Sequence, residues 1–211
     1  MSGASEPPAA PADGEDGDQP TPIGVSCGVD TLLAAAPADG GVGTQFVIDG
    51  AHVRERYEIL AEATESLQTA WFDTATGEAQ LFAAVWHQLR AQVREAAVET
   101  VRHARRFDTP QIVLAAESVS PPPLWHRRTS DGMGAWLPSA LRQAVAAAAH
   151  EAGVPVVRVE SGDVWCACHR CGRDGEGRAG TFVCDYDDCP VGRVDATRST
   201  AVGLAQLARV N

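Results

Sequence analysis

Four cysteines near the end of the chain constrain its folding more than any other feature of the sequence. Cys168 and Cys171 form a Cys-x2-Cys-Gly motif, and Cys184 and Cys189 form a second pair after a Gly-rich, charged spacer of twelve residues. Four thiolates at such spacings are typical of a tetrahedral zinc site. A segment of about 25 residues cannot bury a core of its own, so a metal ion has to hold it together. The pattern predicts a zinc ribbon over residues 165–191.

The first cysteine pair is expected to lie on a tight turn. Gly172 follows it immediately, and a glycine there lets the backbone curl so that amide groups point at the sulfur atoms. The ligand set is not unique from the sequence, because the second pair has the wider Cys-x4-Cys spacing and because Cys166 and His169 are further candidates. A disulfide-bonded or merely cysteine-rich loop is the alternative to a metal site.

Nothing in the sequence indicates export or insertion into a membrane. No apolar run approaches 18 residues, and the acidic, proline-rich start lacks the basic and then apolar pattern of a signal peptide. We therefore expect a cytoplasmic protein without membrane contact. A reducing compartment favours zinc over disulfides for the clustered cysteines.

The charge of the chain limits how it can contact nucleic acid. The formal net charge is -11 at pH 7, and all 17 basic side chains are arginine. An acidic surface argues against a generic nucleic-acid binder, unless the cytoplasm is salty and acidity serves solubility. Any nucleic-acid contact is expected near the ribbon, where arginines are dense: Arg170, Arg173, Arg178, Arg193 and Arg198.

The rest of the chain alternates strand and helix patterns after an acidic, proline-rich stretch at residues 1–20, which predicts a disordered tail. The predicted elements are three strands of a meander within 23–48, helices over about 51–70 and 77–106, a strand over 110–117, a helix over about 136–153, a strand over 156–159 and a helix over about 197–208. The nearly all-apolar strand at 110–117 follows a long helix, which indicates a parallel position covered on both faces of the sheet.

The order of these elements resembles the RuvC-like nuclease domain of the TnpB family, the OrfB-type proteins of insertion sequences and relatives of the type V CRISPR effectors. The most specific part of the resemblance is the Cys-x2-Cys-Gly ribbon followed directly by a helix that Asp195 opens. The resemblance implies an α/β fold of the RNase H-like class, a mixed sheet flanked by helices. Residues 21–164 and 192–211 would form this domain, with the zinc ribbon inserted between them.

The resemblance also implies where a nuclease site would lie. Members of the family cut DNA with three carboxylates that hold two Mg²⁺ or Mn²⁺ ions. The second and third acids map onto Glu117 and Asp195, although a shift of two residues would put Ala115 in place of Glu117. The first acid lies in a Gly-hydrophobic-Asp-hydrophobic-Gly motif. That motif is here Gly24-Val-Ser-Cys-Gly28, so Ser26 stands at the position of the aspartate.

This substitution predicts an inactivated nuclease. A hydroxyl is a poor magnesium ligand beside a carboxylate. Asp30 would not replace the missing acid, because in an extended strand it would lie about 13 Å from Ser26.

The resemblance thus implies a degenerate, transposon-associated TnpB-like protein that binds DNA or RNA weakly when alone. The N-terminal part of the family's proteins, which binds guide RNA and target DNA, has no counterpart in this sequence. A separate protein that supplies this part is one partner that the resemblance implies. The alternatives are an active metal-dependent DNA nuclease that another acid completes, and a domesticated module that binds nucleic acid or protein without chemistry.

Overall fold

A computed structural model describes residues 19–28, 30–69, 75–116, 133–178 and 180–210, and the predicted tail lies almost wholly outside them. The strands are β1 (Thr21–Ser26), β2 (Thr31–Pro37), β3 (Phe46–Asp49), β4 (Pro110–Ala115), β5 (Val156–Val159), β6 (Glu176–Arg178), β7 (Thr181–Val183) and β8 (Arg193–Asp195). The helices are α1 (Ala51–Thr69), α2 (Ala75–Ala104), α3 (Met133–Glu151) and α4 (Ala196–Val210). Within this described part, none of the helices combines the length and apolar composition needed to cross a lipid bilayer.

Five of the strands form a mixed sheet in the order β3-β2-β1-β4-β5. β1 pairs with β2 and β2 pairs with β3 in antiparallel fashion, whereas β4 runs parallel to both β1 and β5. Antiparallel neighbours need only short turns, but parallel neighbours need crossovers, which the helical segments between β3 and β4 and between β4 and β5 provide. The predicted meander and the predicted parallel position of β4 are therefore confirmed.

Helices cover both faces of this sheet. Ile112 and Leu114 of β4 pack on one face in a cluster that includes Leu89 of α2. Val113, which lies between them in sequence, packs on the opposite face with Leu204 of α4. Side chains alternate between the faces along a strand, so a strand covered on both sides has to be apolar throughout its length. This explains the apolar, buried run Ile112–Ala115 that makes up most of β4.

α4 lies very close to β1 because Gly24 has no side chain. A Cβ atom at Gly24 would lie 1.9 Å from the carbonyl oxygen of Ala201, and one at Gly28 would lie 2.1 Å from Oγ1 of Thr197. Such a close approach of two backbones requires glycine in the strand. The helix therefore runs back along β1, with its first turn beside the carboxyl end of that strand.

The cysteine-bearing segment contains a second sheet. β6, β7 and β8 form a three-stranded antiparallel sheet that is separate from the large one. β8 ends at Asp195 and α4 begins at Ala196, whose amide donates a hydrogen bond to the carbonyl of Gly180 at 2.9 Å. The small sheet thus passes directly into the helix that packs on β1.

Candidate metal centre and the predicted nuclease position

Four cysteine side chains converge beside the small sheet. The Sγ atoms of Cys168, Cys171, Cys184 and Cys189 all lie within 4.8 Å of one another. Cys168 and Cys189 are 3.7 Å apart at Sγ, and so are Cys171 and Cys184. Metal–sulfur bonds of about 2.3 Å in a tetrahedron give sulfur–sulfur edges of about 3.8 Å, so this spacing suits four ligands of one ion.

The same distances exclude the disulfide alternative. A disulfide needs a sulfur–sulfur distance of about 2.05 Å, and all six cysteines of the chain are free thiols. The four residues therefore form a group that could hold a metal ion, and they are the four that the spacing in the sequence singles out.

Backbone turns carry amide groups to the sulfur atoms. Gly172 adopts a φ of 71°, and its amide donates a hydrogen bond to the carbonyl of Cys168 at 2.8 Å. Amides of Arg170 and Cys171 donate hydrogen bonds to Sγ of Cys168, and the amide of Tyr186 donates one to Sγ of Cys184. Such donors stabilise the thiolate that binds metal. The tight turn predicted at Gly172 is confirmed.

The four thiols have different electrostatic surroundings. A hydrogen bond from the Arg173 guanidinium is the largest cause that lowers the pKa of Cys171 to about 6. Burial raises the pKa of Cys184 to about 12. Cys184 and Cys168 pack against Phe182, whose side chain is almost wholly buried in the core of the ribbon. A divalent cation would favour the thiolate form at every position, because each sulfur would face its charge directly.

The two spare candidates lie outside the cluster. Cys166 is not among the converging sulfurs. Nδ1 of His169 lies 2.9 Å from Oγ of Ser199, and the backbone carbonyl of His169 accepts a hydrogen bond from Nε2 of Gln206 at 2.8 Å. Ser199 and Gln206 both belong to α4. His169 therefore docks the cysteine turn onto that helix.

Ser26 is the residue that the resemblance aligns with the first acid. It ends β1, beside β4, and lines a small pocket together with Cys27, Ala115 and Arg142. The other described lining residues are apolar: Val25, Leu33, Leu114, Val145 and Leu204. The lining of this pocket, as far as the structure describes it, thus contains a cationic guanidinium and no carboxylate.

Asp195 lies outside that pocket and caps α4. Its Oδ1 accepts a hydrogen bond from the amide of Arg198 at 2.9 Å, and its Oδ2 accepts one from Oγ1 of Thr31 at 3.0 Å. Both carboxylate oxygens are therefore engaged within the protein. Sequence reasoning missed Thr31, because a residue far from Asp195 in the chain shows no local sign that it will become a partner.

Asp30 does not line the described part of the pocket. Glu117 lies outside the described residues. The assumption of an extended strand between Ser26 and Asp30 is wrong, because β1 ends at Ser26 and the amide of Gly28 donates to the carbonyl of Thr31 at 2.9 Å in a turn. Asp30 instead forms an ion pair with Arg54 of α1.

The arginines near the ribbon fall into different environments. Arg170 and Arg193 are exposed. Arg173 pairs with Asp188. Nε of Arg198 is buried and has no hydrogen-bond partner among the described residues, and the side chain of Arg178 is not described. Only Arg170 and Arg193 are thus seen with side chains that are open to solvent and without an assigned partner in the structure as described.

Comparisons with known proteins identify the fold. No family model and no curated protein matches the sequence. Among solved structures, a Cas12f1–sgRNA–target DNA complex matches with a TM-score of 0.64 and 12% identity over 87% of this chain. A CRISPR–Cas12f ternary complex matches with a TM-score of 0.59 and 12% identity over 92% of this chain. This chain spans 49% and 40% of those two chains. The mixed α/β fold is therefore similar to the fold of Cas12f chains.

Proposed function

We propose that this chain is a TnpB-like, transposon-associated protein that binds nucleic acid through an RNase H-like (RuvC-like) domain and a zinc ribbon and does not cleave. Three features support this assignment. The sheet combines an antiparallel β1–β3 meander with parallel β4 and β5, the cysteine ribbon precedes α4, and the fold is similar to chains described in complex with sgRNA and target DNA.

The metal in the ribbon is assigned as zinc and its role as structural. Four soft thiolates at tetrahedral spacing suit Zn²⁺. All four positions are taken by protein ligands, which leaves none open for a substrate or a reactive water. Zinc would therefore supply folding free energy to a segment whose own apolar core is centred on Phe182.

One observation supports the proposed loss of cleavage. The described lining of the pocket at the end of β1 contains no acidic residue. Two-metal cleavage needs carboxylates that hold both ions close to the scissile phosphate. Ser26 offers a neutral hydroxyl, and Arg142 adds a positive charge that opposes a divalent cation. Asp195 stabilises the start of α4 instead, as an N-cap residue.

Nucleic-acid binding is assigned to the outer surface of the ribbon. Arg170 and Arg193 are exposed there and can reach phosphate oxygens. The net charge of -11 repels a polyanion at long range, so binding by this chain alone should be weak and should weaken further as salt rises.

The test compares metal binding and cleavage in the wild type, in Ser26→Asp and in the neutral, isosteric control Ser26→Asn. Mn²⁺ is titrated by calorimetry, and nicking of DNA is measured with Mg²⁺ and with Mn²⁺. We expect no nicking by the wild type. Ser26→Asp should tighten Mn²⁺ binding by about tenfold relative to Ser26→Asn, because only the carboxylate adds charge.

Two results would contradict the proposal. DNA nicking by the wild type that Glu117→Ala abolishes would establish an active nuclease. A shift assay in which neither DNA nor RNA binds at low salt would exclude the nucleic-acid function and leave a protein-binding module.

A further inference from the structure

Arg173 is held at the metal centre by contacts on three sides. Its guanidinium lies close enough to the Cys171 side chain to be the largest cause of the lowered pKa of that thiol. It also forms an ion pair with Asp188 and lies over the ring of Tyr186, with Cζ 3.9 Å from the ring centroid. The backbone carbonyl of Arg173 accepts a hydrogen bond from the amide of Cys168 at 2.8 Å, which anchors the residue in the same turn as the first two cysteines.

This arrangement places a positive charge where the metal centre needs one. Four thiolates and one Zn²⁺ carry a net charge of about -2. The surrounding loop adds further negative charge through the exposed side chains Asp185 and Asp187. A guanidinium beside a thiolate offsets part of this negative charge.

The contacts with Asp188 and Tyr186 serve to hold the guanidinium in place. Arg173 retains 39% of its side-chain exposure and Asp188 retains 75%, so their ion pair by itself adds little stability. The aromatic ring restricts the planar guanidinium on a second side, and a lysine would not stack in the same way. Together they restrict the guanidinium to one position in an otherwise solvent-accessible loop.

We propose that Arg173 is a positioning residue of the metal centre, which compensates the charge of the four thiolates and so slows the loss of the ion. The inference rests on the zinc site proposed above. It also separates Arg173 from the exposed arginines, because a guanidinium engaged with a thiolate, a carboxylate and a ring is not free for phosphate. Arg170 and Arg193 remain the candidates for nucleic acid.

The test measures zinc content, zinc release to a chromogenic chelator, and nucleic-acid affinity in the full chain. The variants are Arg173→Ala, Arg173→Lys and Tyr186→Ala, and the matched control is Arg170→Ala, which removes an equal charge from the same turn. We expect Arg173→Ala to release zinc about tenfold faster than the wild type, the lower end of the effect for residues that support metal ligands. The zinc-release rates of Arg173→Lys and Tyr186→Ala should lie between those of the wild type and of Arg173→Ala. Arg170→Ala should release zinc at the wild-type rate.

Nucleic-acid affinity should show the opposite pattern, reduced in Arg170→Ala and unchanged in Arg173→Ala. Wild-type zinc release by Arg173→Ala overturns the inference and leaves the proposed zinc site intact. If Arg173→Ala is isolated without metal, zinc release is measured on Arg173→Lys in its place. Zinc release from Arg173→Lys at the wild-type rate then overturns the inference. Purified wild-type protein without zinc removes the proposed metal site itself, and the inference with it.

Discussion

At the scale of single residues, the four converging cysteines differ from the two other cysteines in their surroundings. Cys184 is buried against Phe182, whereas Cys166 lies outside the cluster and Cys27 belongs to the pocket at the end of β1. A tetrahedral site that loses one of its four ligands loses much of its affinity, while a thiol outside the coordination sphere contributes none.

Cys184→Ser should therefore abolish stoichiometric zinc binding, and Cys166→Ser should leave about one zinc per chain. Metal analysis of the purified variants measures this directly. Zinc content that is unchanged in Cys184→Ser would show that the cluster is not the metal site.

A second residue of interest is His103, which is buried under β3. Its Nε2 lies 3.0 Å from the carbonyl oxygen of Thr44, and its ring stacks on Phe46 with the centroids 5.0 Å apart. Nδ1 is buried and has no hydrogen-bond partner among the described residues. The carbonyl can only accept, so Nε2 carries a proton. Burial lowers the pKa of His103, and the charge of Arg106 adds to this shift.

The stability of the protein should consequently fall in acid. Below the ordinary pKa of 6.5 the unfolded state binds a proton that folded His103 binds only at lower pH, so the free energy of unfolding decreases as pH falls. The decrease should level off below the folded pKa. His103→Gln keeps a donor for Thr44 but does not titrate, and denaturant unfolding between about pH 8 and pH 5 should show a smaller slope in this variant. Equal slopes in the two proteins would contradict the assignment.

At the scale of elements, α4 connects the large sheet with the cysteine ribbon. Its backbone lies against β1 at Gly24, Asp195 caps its first turn, and Ser199 and Gln206 bond to His169 in the ribbon. The position of the ribbon on the domain therefore depends on how closely α4 can approach β1.

Gly24→Ala should disturb this contact strongly. The new methyl group would meet the backbone carbonyl of Ala201 at 1.9 Å, and backbone cannot move aside as a flexible side chain can. We expect a loss of about 3 kcal/mol in the free energy of unfolding, the upper part of the usual range for overpacking.

The matched control is Gly43→Ala, since a Cβ atom there has no neighbour within 4 Å. It should change stability by about 0.5 kcal/mol or less. Denaturant midpoints of both variants decide the question, and equal midpoints would show that α4 does not touch β1 in solution.

At the scale of the whole molecule, charge is the dominant property. The net charge of -11 comes from 28 acidic side chains against 17 arginines, with no lysine. Like charges over one surface repel, and dissolved salt screens that repulsion. An acidic surface of this kind is expected where the protein works at high ionic strength.

The melting temperature should accordingly rise with potassium chloride from low to multimolar concentration. Calorimetry or fluorescence at several salt concentrations measures it, with sucrose as a control for general exclusion of solutes. A flat melting temperature would leave GC-biased codon usage as the better explanation of the arginine content.

Local patterns in the sequence determined most elements and the convergence of the cysteines. The apolar run at Ile112–Ala115 required a doubly covered strand, and the spacing of Cys168 and Cys171 required a turn that Gly172 completes. Both patterns are local. Each position of the strand shows its burial by being apolar, and a turn depends only on residues that are adjacent in sequence. The distance assumed between Ser26 and Asp30 was wrong, because it treated as one extended strand a segment that the turn at Gly28 interrupts.

Contacts between distant segments were decided only by the tertiary structure. Thr31 reaches Asp195, His169 reaches Ser199, and Arg173 reaches Asp188 and Tyr186. An aspartate before a helix has the same sequence signature whether it binds a metal or caps that helix, and an arginine in a basic stretch has the same signature whether it faces phosphate or thiolate. Burial of apolar surface brings these distant groups together, and this driving force has no preferred direction. The polar residues that come into contact therefore show no periodic pattern in the sequence that would predict the contact.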